Sequence, residues 1–98
     1  MNLVGRWQVV GLPDRELVFH ADGTGYFRVQ SEHMPFFKWQ LSNAGVLGWQ
    51  FFLDSAMTEV SSRMHEPAYQ ALNAGTELLF SHAPFPFGIK HFKRVSTA

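Results

Sequence analysis

The feature that most constrains this chain is a two-residue alternation of apolar and polar side chains that recurs along most of its length. A period of two sends successive side chains to opposite faces of an extended strand, whereas a helix needs apolar residues three and four apart. Residues 3–10 place Leu3, Gly5, Trp7 and Val9 on one face and Arg6 and Gln8 on the other. Residues 36–42 group Phe37, Trp39 and Leu41, and residues 46–53 group Leu47, Trp49, Phe51 and Leu53. Shorter runs at 16–20, 26–30, 76–81 and 88–95 have the same character, and no long amphipathic helix can be drawn.

Turn chemistry joins these runs in sequence. Asp22-Gly23 between two apolar runs is a hairpin signal, because the tight primed turns need positive φ. Asn43-Ala44-Gly45 makes a second turn. Leu72-Asn73-Ala74-Gly75 nearly repeats Leu41-Ser42-Asn43-Ala44-Gly45, which argues that residues 67–72 are a strand rather than a short helix opened by Pro67. The stretch 54–66 is the least patterned; Thr58 to Met64 reads as a weak strand or as loop. The expectation is an all-β fold, a small antiparallel up-and-down barrel of about eight strands with little or no helix. A chain of 98 residues has room for one core, so residues 1–98 are read as a single domain.

Composition removes several function classes. Eight Lys and Arg balance eight Asp and Glu, so the basic excess that phosphate binding demands is absent and no nucleic-acid partner is expected. Without cysteine there is no disulfide, thiolate metal site or thiol nucleophile. The N-terminus, MNLVGRWQVV, lacks a signal-peptide pattern, and no apolar run is long enough for a membrane helix. A cytoplasmic protein that is a monomer or weak homodimer, with no cofactor and no membrane association, is the expectation.

In a meander, alternate connections fall at the same end. The tight turns at Asp22-Gly23, Asn43–Gly45 and Asn73–Gly75 share one end. The other is expected to collect longer loops at 11–14, 31–35, 54–66 and 82–87, with Pro13, Pro35, Pro84, Pro86, His33, His65 and His82. Function is expected at that open end, because binding residues concentrate in longer loops.

Gly5-Arg6-Trp7 in the first strand, followed by a meander and closed by Phe92-Lys93-Arg94-Val95, resembles the lipocalin or calycin pattern, and in particular its small bacterial lipocalin-like domains. The resemblance implies that Trp7 packs across the barrel floor and that a basic side chain of the last strand, Arg94 or else Lys93, lies over its ring. The chain departs from secreted lipocalins in being much shorter and in lacking disulfides and a terminal helix.

The chemistry-bearing residues point away from catalysis. No two histidines stand at a metal-ligand spacing, so His33, His65 and His82 read as rim residues and no metal is expected; His20 and His91 fall at outward strand positions. There is no Gly-x-Ser-x-Gly elbow, Asp22-Gly23-Thr24-Gly25 joins two strands rather than opening a helix, and the carboxylates mostly mark turns or strand ends. The chain is read as non-enzymatic. Phe19, Phe27, Phe37, Trp39, Trp49, Phe51, Phe80 and Phe92 are expected to point inward, filling most of the interior themselves and leaving any cavity small. Phe85-Pro86-Phe87 places two rings on a stiff loop that either plugs the mouth or exposes an apolar rim. The expected function is a binding module for a small apolar molecule at the open end. Trp39, Trp49, Phe85 and Phe87 would be its apolar contacts, with His33 and His82 as polar ones. The alternative is a protein-binding module such as a bacterial immunity or inhibitor protein, against which the neutral charge argues.

Overall fold

In the computed structural model of the chain, residues 3–61, 63–82 and 90–96 are described. Eight strands run in chain order: β1 (Gly5–Val9), β2 (Leu12–Phe19), β3 (Thr24–Val29), β4 (Glu32–Leu41), β5 (Leu47–Phe52), β6 (Tyr69–Leu72), β7 (Glu77–Phe80) and β8 (His91–Ser96). All pair antiparallel in one sheet of order β5-β4-β3-β2-β1-β8-β7-β6, which curls into a half-barrel. The first strand therefore lies between the second and the last, and the two sheet edges, β5 and β6, are consecutive in the chain. Residues 67–72 do contain a strand, and Asn73–Gly75 forms the tight connection to β7 with all three residues at positive φ.

The two faces follow the alternation. Leu3, Trp7, Val9, Leu17, Phe19, Phe27, Phe37, Leu47, Trp49, Phe51, Leu78, Phe80 and Phe92 form one buried cluster on the concave side, with Trp39, Leu41 and Tyr69 packed against it. Every ring expected to face inward does so. Phe19, Phe37 and Trp49 meet at 5.4–6.2 Å between centroids, and Phe80 continues the chain of rings to Phe92 at 5.8 Å. Rings at these separations gain beyond the area they bury. Gly25 is part of the same fit: a Cβ there would lie 2.3 Å from the Val18 carbonyl oxygen and 2.6 Å from the Phe37 ring. Leu53 departs from its expected face, being 55% exposed just beyond the end of β5.

The expected pattern of short turns at one end and long loops at the other holds in part. Residues 11–14 and 31–35 are not loops. β2 begins at Leu12 and β4 at Glu32, so β1 and β2 are joined through Val10-Gly11 and β3 and β4 through Gln30-Ser31. Gln30 takes φ of 56°, the left-handed conformation that such a two-residue turn requires, and its N–H donates to the Asp14 carbonyl. Pro13 and Pro35 are thus strand residues. Pro35 is accommodated where the β3–β4 register shifts between Tyr26 and Arg28, so a bulge spares the ladder the missing donor.

The connection 53–68 is the one long excursion within described residues. It returns along β5 through isolated bridges, Phe52 with Val60 and Trp49 with His65. Backbone bonds from Leu53 to Glu59, from Ser61 to Phe51 and in both directions between Trp49 and His65 fasten it. Asp54 nucleates the excursion, accepting from the Thr58 hydroxyl at 2.6 Å and from the Thr58 and Glu59 amides at 2.9 Å. Those donors hold its carboxyl below the usual carboxylate range.

Candidate binding site

The Arg94 side chain of β8 lies over the Trp7 ring of β1. Trp7 is fully buried, its indole N–H donates to the Leu3 carbonyl at 2.9 Å, and the Arg94 guanidinium lies 4.2 Å from the ring centre. Cross-strand pairing of Trp7 with Arg94 sets this stack, and the guanidinium also donates to the Val4 carbonyl at 2.9 Å. That bond compensates the partial desolvation of the charge.

Of the six residues expected to form a ligand site, the four that are described, Trp39, Trp49, His33 and His82, do not come together as one group. Trp39 and Trp49 are cross-strand partners on β4 and β5, and both meet Phe19. Trp49 is 1% exposed, with Phe80 stacked at 5.5 Å and Phe19 parallel to it at 6.2 Å, so its faces are already occupied. The Trp39 indole N–H donates to the carbonyls of His20 and Thr24, which ties it to the tight-turn end rather than to the opposite mouth. His33 sits within β4 on the convex face, stacked on Tyr26 at 4.2 Å, because Arg28, its cross-strand partner, also points outward. His82 is exposed just past β7. Phe85 and Phe87 lie outside the described residues.

Sequence reading missed two features. Glu16 was expected among solvated strand-end carboxylates. It is instead 4% exposed on the convex face, held by Arg6 at 2.6 and 3.1 Å and by Arg28 at 3.3 Å. Hydrogen bonding from Arg6, above all, keeps its carboxyl below the usual range against the opposing effect of burial. Among the described residues no group of three His, Cys, Asp or Glu side chains could hold a metal ion.

The second missed feature is a cleft of about 500 Å³ on the outer side of the β4–β5 hairpin, lined by Gln40, Leu41, Ser42, Val46, Gly48 and Glu66. Gly48 lies across from Gln40 in the ladder, with Gln40 and the Met64 thioether beside it. Its backbone does not require glycine: it is absent from the positive-φ positions, and a Cβ would make only ordinary contacts at 3.5–3.7 Å. The missing side chain therefore makes room rather than a turn, and a glycine inside a strand was the available sequence signal. Polar groups stand around this floor. Ser42 Oγ accepts the Val46 N–H at 3.1 Å, while the Gln40 amide and the Glu66 carboxylate are engaged by no other described side chain. Val46 and Met64 border it, 43% and 45% exposed.

The chain matches no protein-family model, no curated protein and no solved structure in the comparisons made.

Proposed function

We propose that this chain is a non-enzymatic binding module of the lipocalin-like kind, and that it takes a small, mostly apolar molecule in the cleft over Gly48. The Trp7–Arg94 floor supports the family reading. The observation that carries the function is the cleft itself: about 500 Å³, floored by a strand glycine the backbone does not need. Its volume falls within the range of small-molecule sites, roughly 300–1,000 Å³, and its lining is polar and apolar in about equal parts. The concave interior is a poorer candidate, since its rings already pack against one another. The site thus moves from the open end to the outer face of β4–β5, while the ligand class stays the one expected from the sequence.

Gly48→Val tests the site. A Cβ is tolerated there, and β-branched side chains suit a strand, so the fold should keep its melting temperature within a few degrees while the cleft fills. Titration of isotope-labelled protein with n-hexanol should move the amide resonances of Gln40, Gly48 and Glu66 in the wild type and leave them still in the variant. Shifts confined to other regions, or undiminished in Gly48→Val, would overturn the assignment.

A further inference from the structure

Resting on the cleft reading above, we infer that the ligand carries a primary ammonium group on its apolar body. Glu66 is the only charged residue among the six that line the cleft, so its one fixed charge is negative. The polar groups around it are matched to a donor. The Glu66 carboxylate accepts only, and the Ser42 hydroxyl retains accepting capacity beyond its bond from Val46. An –NH₃⁺ group has three donors and no acceptor, which suits a carboxylate and a hydroxyl free to accept. A carboxylate or phosphate would instead face Glu66 and lose affinity. Val46 and the Met64 thioether beside Gly48 supply the surface for a short hydrocarbon body; thioethers pack adaptably against varied shapes.

The experiment compares three probes of one chain length, n-hexylammonium, n-hexanol and hexanoate, by their dissociation constants from amide shifts at low ionic strength. Exposed ion pairs contribute up to about 1 kcal/mol, which converts to a preference of roughly fivefold for the ammonium over the alcohol, with hexanoate weakest. Glu66→Gln should bring the ammonium down to the alcohol's affinity, and added salt should do the same in the wild type. Equal affinities of ammonium and alcohol in the wild type overturn this inference and leave the cleft standing. So does a preference that survives Glu66→Gln. Failure of all three probes to perturb Gln40, Gly48 and Glu66 overturns the cleft and the ammonium together.

Discussion

Two residues decide how much the floor of this half-barrel contributes. Trp7 combines full burial, an indole bond to the Leu3 carbonyl and the stack beneath Arg94. Trp7→Ala should cost roughly 3–5 kcal/mol, as for other large aromatics removed from cores. That is a large share of the ~5–15 kcal/mol that holds an ordinary domain folded. Arg94→Ala removes the ring contact and the Val4 bond but leaves no comparable void, so about 1–2 kcal/mol is expected. Denaturant melts of both variants check the pair; an Arg94→Ala loss within error of zero would mean that the stack is ornamental. Glu16 works on the other face. Its carboxyl ionises more readily folded than unfolded, so the folded state binds fewer protons and gains stability above the unfolded value of 4.5. That gain should disappear as pH falls from 4.5 through the lowered folded value. Asp22 and Asp54, also held low by their hydrogen bonds, act in the same direction. Glu16→Gln should therefore be less stable than the wild type at neutral pH and show a shallower acid transition. Parallel stability curves from neutral pH to pH 3 would contradict this.

At the scale of elements, the strands were legible because each has one buried face, and a period of two is what a half-buried strand must show. The Asp22-Gly23 and Asn-Ala-Gly turns were legible because positive φ selects glycine or asparagine, and Gly23, Gly45, Asn73, Ala74 and Gly75 do take positive φ. Two other hairpins were hidden for opposite reasons. Gln30 adopts φ of 56° without being a turn-forming residue, so its turn carries no residue signature. Pro13 and Pro35 announce loops but sit in strands, at positions where a register shift or an exposed strand end relieves the ladder. Misreading those two connections put His33 at a mouth it does not line. The cleft over Gly48 was illegible for a different reason: a glycine inside a strand run says only that a side chain is missing, and what surrounds the gap is set by Gln40 and Met64 arriving from other segments. Likewise the Arg6–Glu16–Arg28 group depends on the register of three strands, which alternation alone does not fix.

For the whole molecule, the topology predicts an order of opening. β1 is hydrogen-bonded on both sides, to β2 and to β8, and lies far from either sheet edge. The edges β5 and β6 share no ladder. Between them, residues 53–68 hold to β5 by two isolated bridges, and the Tyr69 hydroxyl crosses to the Gly45 carbonyl at 2.8 Å. Local openings cost least where backbone bonds are few and exposed, and approach the global stability in the centre of a sheet. Amides of Leu53, Ser61 and His65 should therefore exchange with solvent well before those of Trp7, Leu17 and Phe27, although Trp49, beside the bridge, is as buried as any core ring. The Tyr69 bond gives this seam a handle. Tyr69→Phe keeps the ring on Phe80 and removes only the crossing bond, worth roughly 0.5–1.5 kcal/mol. If the seam is a separate opening unit, His65 exchange should accelerate by that factor while Trp7 exchange, limited by deeper unfolding, changes less. Uniform acceleration at both sites would show instead that the half-barrel opens only as one cooperative unit, with its edges no weaker than its centre.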